Sequence, residues 1–380
     1  MSRYMLLLLS LQYVILSMGC APEDDAPVEP AQGESEPMTK QEAAEHKQSG
    51  KADLPFDLCK RNGWYDDDEC DWFCSDHDPV CHAEPLGTEP VGEPTRYPIV
   101  LLHGFNAGRE GSWSFYRVEE ALRADGHEVY AAEVHAFAST RTRATALSGQ
   151  IDALLGGEGA PEKVNLVAHS MGGLDARYLV SALGYSDRVA SVTTISSPHH
   201  GSAVADVALR LLPEPADDLI SDLATLWSTT FNAIEEDADV RAALTSLSTA
   251  EMARFNEEVV DDPRVYYQSW AGVSSVLGFN NARDEVACEG LLLRHEGQSD
   301  VMNALLLPMA AILAPGLSLT PNDGMSTVAS ARWGEFKGCI PADHYDEIGQ
   351  IKRDSPDPHT GFDHVRFYRN VAFDLARRGY

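Results

Sequence analysis

From residue 97 to the carboxyl terminus, short apolar runs alternate with longer amphipathic ones. YPIVLLHG (97–104), HEVYAAEV (127–134), KVNLVAHS (163–170) and RVASVTTISSPHHG (188–201) each hold a block of apolar or β-branched residues closed by glycine, serine or charge. Such blocks fit strands buried on both faces. Between them, SWSFYRVEEALRADG (112–126) brings Phe115, Val118 and Leu122 round at helical spacing and stops at Gly126. TALSGQIDALLGG (145–157) and GGLDARYLVSALG (172–184) read as helices in the same way. Alternating strands and helices predict an α/β fold, a mostly parallel sheet with right-handed crossovers and helices on its faces. In the last stretch, GFDHVRFYRNVAFDLARRGY, Val365, Phe367, Tyr368 and Val371 mark a helix docked on the core.

The alternation lapses from about 203 to 260. Val204, Val207, Ala208, Leu211 and Leu212 recur at helical spacing, as do Leu219, Ile220, Leu223, Leu226 and Trp227 after Pro213 and Pro215. Amphipathic helices inserted between strands read either as a cap over the carboxyl edge of the sheet or as ordinary packing helices.

Before residue 97 the pattern is different. One early basic residue, an apolar run from Met5 to Met18 and Ser-Met-Gly before Cys20 predict a secretory signal over 1–20. In its lipoprotein form Cys20 becomes a lipidated anchor to a membrane, and plain cleavage nearby is the alternative. Residues 21–58 are rich in Pro, Glu, Gln, Ser and Lys, too poor in large apolar groups to offset ordering entropy, and read as an acidic disordered linker. Residues 59–82 hold Cys59, Cys70, Cys74 and Cys81 in a segment too small for a core of its own, and 83–96 form a second, Pro- and Gly-rich linker. The chain has seven cysteines, and setting Cys20 aside leaves an even six, suited to disulfides in an oxidising compartment. Zinc held by these cysteines with His77 and His82 is a competing reading, and the acids Asp66, Asp67, Asp68, Glu69 and Asp71 read as a calcium loop or as a solvated face.

The 380 residues carry a net charge of −30, and 44% of them are hydrophobic. That content supports a sizeable core, and the charge repels phosphate backbones, which excludes nucleic acid as a partner.

Candidate chemistry gathers at Ser170. Ala168-His169-Ser170-Met171-Gly172 is a nucleophile elbow with alanine at its first small position, lying where a predicted strand meets a predicted helix. Small residues on either side are needed because the turn strains the serine backbone and brings it close to neighbouring elements. A serine hydroxyl needs a histidine to take its proton and an acid to orient that histidine. In this topology the acid and histidine follow in that order, for which PNDGMST offers Asp323 and PADHYDEIGQ offers His344. Asn-Asp-Gly is also simple turn chemistry, and His295, His359 and His364 are rivals, His364 reading as structural. The two N–H donors that an oxyanion requires fall to Met171, after the serine, and Phe105, in the loop after the first strand, with His103 ordering that loop.

The stretches YPIVLLHGF, KVNLVAHSMGGLDARY, RVASVTTISSPHHGS, VYYQSWAG, NDG and HYDEIGQ, in this order and spacing, resemble the bacterial secreted triacylglycerol lipases of the α/β-hydrolase fold, over residues 97–380. The resemblance implies a triacylglycerol lipase working through an acyl-enzyme on lipid esters at an oil–water interface. It selects Asp323 and His344 over their rivals and makes 203–260 a lid. No cofactor takes part in the chemistry, but the family includes calcium-binding members assisted by a folding chaperone. Their calcium would correspond to Asp346, Gln350 and roughly Asp354, with a second family aspartate replaced by Leu307, a loss that weakens the site unless Asp300 reaches it. The family's usual cysteine pair is not matched, and Cys288 with Cys339 would be a different staple. A carboxylesterase, phospholipase, polyester depolymerase or acyltransferase on the same fold stays open, as does, more remotely, a non-catalytic binding or anchoring protein.

Overall fold

The computed structural model describes residues 38–40, 42–43, 58–64, 89–105, 115–211, 239–276, 278, 281–294, 298–316, 318–350, 355–357 and 360–380. The signal, most of the cysteine module and its acidic run, residues 212–238, His295, His359 and Asp354 lie outside them. The chain divides into two units, Met1–Pro55 and Phe56–Tyr380. In the first, Thr39 and Glu42 cap one another reciprocally, the Thr39 N–H donating to the Glu42 carboxylate at 2.8 Å and the Glu42 N–H to Thr39 Oγ1 at 3.3 Å. In the second, a short helix, Leu58–Asn62, carries Cys59, which is buried and disulfide-bonded.

The core of the second unit is a six-stranded sheet in which every pairing is parallel. Its strands are β1 (Ile99–Leu102), β2 (Val129–Ala131), β3 (Val164–His169), β4 (Val189–Ile195), β5 (Tyr266–Gly272) and β6 (Glu335–Ile340), in the spatial order β2-β1-β3-β4-β5-β6. The uninterrupted apolar runs follow from burial on both faces, since β1, β3 and β4 are buried throughout. On one face Ile99, Leu101, Val167 and Ile195 meet α1 (Val118–Ala124) through Val118 and Leu122. The carboxyl-terminal helix (His364–Arg377) joins them there through Phe367, Tyr368, Val371 and Leu375. On the other face Val100, Leu102, Leu166 and Val192 meet α2 (Thr140–Leu155) through Leu147 and Ile151, and α3 (Gly172–Ser181) through Leu179 and Val180. Each such side chain contributes about 1.5–3 kcal/mol on leaving water.

Helix α2 begins five residues before the apolar spacing predicts. Ser139 caps it by accepting from the Thr142 N–H at 3.2 Å, and its first turns bury Arg143, a residue that apolar periodicity cannot register as interior.

The described parts of the insertion are helical: α4 (Ala203–Leu211), α5 (Val240–Leu247) and α6 (Thr249–Glu258). Ala205, Val240, Ala243, Leu244, Leu247 and Met252 cluster with Phe137, Met171 and Leu174, so the insertion packs on the start of α3 directly behind Ser170. Arg177 of α3, fully buried, bolts α6 down. It donates to Asn256 Oδ1 at 2.9 Å and lies 3.5 Å from the Trp333 ring centre.

Between β5 and β6 the chain adds α7 (Ala282–Ala287), α8 (Leu307–Leu313) and α9 (Val328–Ala331), elements too short to be read from periodicity. A disulfide joins Cys288, which closes α7, to Cys339 in β6.

Candidate active site

Every candidate group sits where a strand or its following loop ends at the carboxyl edge of the sheet. Ser170 follows β3 directly and has φ of 54°, the left-handed region that strained elbows occupy. The space around it requires the glycines present. A Cβ on Gly172 would meet the carbonyl oxygens of Leu102 and His103 at 2.6 and 2.9 Å, and one on Gly104 would stand 2.6 Å from the Ser170 Cβ. The loop after β1 therefore lies against the serine turn. Phe105 in that loop packs in the cluster that holds Met171 and crosses Phe137 edge-on at 5.1 Å, so both expected oxyanion donors come from backbone lying beside Ser170.

His103 orders this loop from inside. Its Nδ1 and the Gly104 carbonyl are 3.0 Å apart, and its Nε2 accepts from the Val134 N–H at 3.5 Å. Burial, with the Arg143 charge added, pushes its pKa down to about 3, so the ring stays neutral. Arg143 is the larger organiser and carried no sequence signal. Its guanidinium donates to Asp175 Oδ2 at 2.7 Å, to the His135 carbonyl at 2.6 Å and to the His103 carbonyl at 2.7 Å, tying α2, α3 and the loop after β1 together. Burial raises the Asp175 carboxyl to about 6 against the pull of Arg143, which leaves the pair charged at neutral pH.

The structure brings Asp323 and His344 together. His344 Nδ1 lies 2.8 Å from Asp323 Oδ2, while Asp323 Oδ1 accepts from the N–H groups of Met325 and Ser326 at 2.7 and 2.6 Å. Burial alone would raise this carboxyl, but His344 and the two N–H groups outweigh it and hold it below the ordinary aspartate value. The His344 ring is tilted against that of His169 with centres 4.5 Å apart, which sets it beside the residue preceding Ser170. His364 is held by Ser355 Oγ at 2.7 Å and the Tyr116 carbonyl at 2.8 Å, a structural role.

A second carboxylate, Glu347, escaped the sequence reading. It is fully buried one helical turn after His344, with Oε2 2.8 Å from His169 Nε2 and Oε1 accepting from Ser196 Oγ at 2.5 Å. Burial, with the Asp323 charge nearby, raises it well above the usual carboxylate range. Its spacing from His344 was the available signal.

The acidic cluster holds Asp300 and Asp346 as the sequence reading allowed and adds Asp343, which it did not name. Leu307, where a family aspartate was expected to fall, opens α8 and packs with Met302, Leu306 and Tyr345. Asp300 reaches instead: the carboxylates of Asp300, Asp343 and Asp346, all buried, offer oxygens within 4.8 Å of one another. Three buried acids at such range need protons or a cation between them, and an all-oxygen donor set fits calcium. Gln350 lies on the turn that follows Asp346, its N–H donating to the Tyr345 carbonyl at 3.0 Å.

A cavity of about 360 Å³ lined by Thr140, Tyr178, Thr245 and Phe255 lies between α2, α3, α5 and α6 and includes none of Ser170, Asp323 or His344.

Comparison with known proteins accords with this geometry. Residues 97–260 match the family model described as alpha/beta hydrolase fold. The chain is 30% identical over 299 residues to a triacylglycerol lipase of Pseudarthrobacter phenanthrenivorans, covering 68% of this chain and 90% of the relative. It is 32% identical over 310 residues to one from Vibrio cholerae serotype O1, covering 75% and 89%. Among solved structures, Staphylococcus hyicus lipase superposes with a TM-score of 0.53 at 18% identity, covering 77% of this chain and 98% of that one. The metagenomic carboxyl esterase MGS0156 does so with 0.53 at 18%, covering 77% and 78%. At that identity the two structures speak to the fold alone.

Proposed function

The chain belongs to the triacylglycerol lipase family of α/β hydrolases and is a carboxylic ester hydrolase, and on that premise we propose that Ser170, His344 and Asp323 are its catalytic triad and acylglycerols in an oil phase its substrate. Ser170 Oγ attacks the ester carbonyl carbon as its proton passes to His344 Nε2. The Nδ1–H of the resulting imidazolium is held by Asp323. The tetrahedral oxyanion is met by the N–H groups of Phe105 and Met171, and His344 protonates the departing alcohol oxygen. Water, deprotonated by the same histidine, then releases the fatty acid from Ser170.

The observation that carries this reading is the 2.8 Å contact between His344 and Asp323 beside a serine held at φ of 54°. Hydrolysis of an emulsified long-chain triglyceride and of a soluble short-chain ester, each across the solubility limit and with Ser170→Ala as control, tests it. A rate that jumps when droplets form supports a lipase whose 203–260 insertion opens at the interface. Smooth saturation on the soluble ester with none on emulsion would make it an esterase, and a Ser170→Ala enzyme as active as wild type would sink the triad.

Calcium fits the Asp300, Asp343 and Asp346 cluster, with Gln350 beside it. Bound there it would neutralise the cluster and brace the loop that carries His344, away from the bond-making steps. Export is supported by the amino-terminal apolar run before Cys20 and by the Cys288–Cys339 disulfide. Labelling of Cys20 by a radioactive fatty acid tests the lipid anchor.

A further inference from the structure

Three strand ends converge on one side chain. His169 closes β3, Ser196 follows β4 and Gly272 closes β5, and all three touch the polar chain that runs through Glu347. The Gly272 N–H donates to Ser196 Oγ at 2.9 Å, Ser196 Oγ donates to Glu347 Oε1 at 2.5 Å, and Glu347 Oε2 lies 2.8 Å from His169 Nε2. The His169 ring in turn packs on the His344 ring with centres 4.5 Å apart, and Glu347 itself lies three residues after His344. The chain thus begins and ends on the two elements that must be held in register, the serine elbow and the histidine loop.

The local backbone is shaped to make room for it. Ser196 takes φ of 49°, unusual for a residue with a side chain, and a Cβ on Gly272 would fall 1.9 Å from Glu347 Oε1. His169, Ser196 and Glu347 are each at most 3% exposed, so the arrangement is screened from bulk solvent. Burying a carboxyl group is costly unless its oxygens are bonded, and both Glu347 oxygens have partners, one on Ser196 and one on His169. The Glu347 oxygen is 3.8 Å from His344 Nδ1, beyond hydrogen-bond reach, so among the described residues it is Asp323 that hydrogen-bonds this nitrogen.

We propose that Glu347 is a positioning residue which, through His169 and Ser196, holds Ser170 within reach of His344. This rests on the triad reading given above. Loss of the link lets the two loops drift, and misplacement by about 1 Å costs roughly 10- to 100-fold in turnover.

The test replaces Glu347 by methionine, of similar volume without polar atoms, by glutamine, and Ser196 by alanine, in the full chain. Active sites are first counted with a p-nitrophenyl alkylphosphonate, so that turnover refers to folded enzyme, and kcat and KM are read on a soluble p-nitrophenyl ester. Glu347→Met is expected to lower kcat roughly 10- to 100-fold with KM within about twofold. Glu347→Gln, whose amide offers Ser196 an acceptor and His169 a donor, is expected to rescue most of that loss. Ser196→Ala should lower kcat several-fold in the same sense, and it decides the matter where Glu347→Met does not fold. Normal turnover per titrated site in Glu347→Met, or in Ser196→Ala, overturns the proposal, as does a Glu347→Gln enzyme no better than Glu347→Met. A Ser170→Ala enzyme that still turns over would instead remove the triad reading, an outcome independent of Glu347.

Discussion

Asp323 and His344 lie 21 residues apart on different loops, yet their side chains meet at 2.8 Å, and the acid's other oxygen is fixed by two backbone N–H groups. The carboxylate therefore cannot swing away, and it favours the Nδ1–H tautomer, which leaves Nε2 as the ring's proton acceptor. Asp323→Asn keeps the shape and loses that preference. It is expected to lower kcat on a soluble ester by about 10³–10⁴ with KM little changed. A loss under tenfold would mean that Asp323 is only a turn residue.

The elbow makes its own demand on size. Gly172→Ala drives a methyl into the carbonyl oxygens of Leu102 and His103, backbone atoms at the end of a buried strand that cannot step aside. It should destabilise by roughly 1–3 kcal/mol and take activity with it. Gly149→Ala, in α2 with nothing near the added Cβ, should be neutral or stabilise by up to about 1 kcal/mol. Urea titrations of the two variants make the comparison.

The Cys288–Cys339 bridge closes a loop of sequence separation 51 that contains Asp323 and the acid Asp300. On chain entropy such a crosslink is worth about 4 kcal/mol. Cys288→Ser with Cys339→Ser should lower the melting temperature clearly. It should also remove the share of a reductant's effect on the melting temperature that comes from this bridge, so the variant falls by less than the wild type, which keeps Cys59 in another bridge as well.

For His103 the sign of the pH effect follows from burial. The unfolded imidazole titrates near 6.5 and the folded one at about 3, so between those values the unfolded chain takes up a proton that the folded chain refuses. Its contribution to stability is whole above 6.5 and is lost as pH falls toward 3, at about 1.4 kcal/mol per pH unit. His103→Gln removes this dependence while retaining an acceptor for the Val134 N–H. The stability gap between wild type and variant should therefore shrink by that slope from pH 6.5 to 5 in paired denaturant titrations, and a constant gap would refute a neutral, buried His103.

Calcium at the Asp300, Asp343 and Asp346 cluster should raise the melting temperature, since a ligand at about a hundred times its dissociation constant stabilises by roughly 2.7 kcal/mol. A chelator should reverse the gain, and Asp346→Asn or Asp300→Asn should abolish the response. A shift that survives both substitutions would place the ion elsewhere.

Much of the fold was legible because the signals are local. Strands buried on both faces write themselves as unbroken apolar blocks, as in IVLL and VNLVAH, and the elbow's small residues must flank Ser170 in sequence because they flank it in space. The comparisons with known proteins bear on the family and the fold. The roles of individual residues rest on the geometry.

The sequence by itself determined the α/β layering and the strand-to-helix position of Ser170, since each depends on periodicity and turn chemistry, and offered Asp323 and His344 as partners among rivals that only the family resemblance set aside. Only the tertiary structure decided that Asp300, and not the position of Leu307, joins Asp343 and Asp346. It also decided that Arg143 braces the loop after β1 and that Glu347 joins three strand ends. The reason is physical: a buried polar group takes its partners from wherever the fold brings an unsatisfied donor or acceptor, and those distances across the sheet leave no period in the chain.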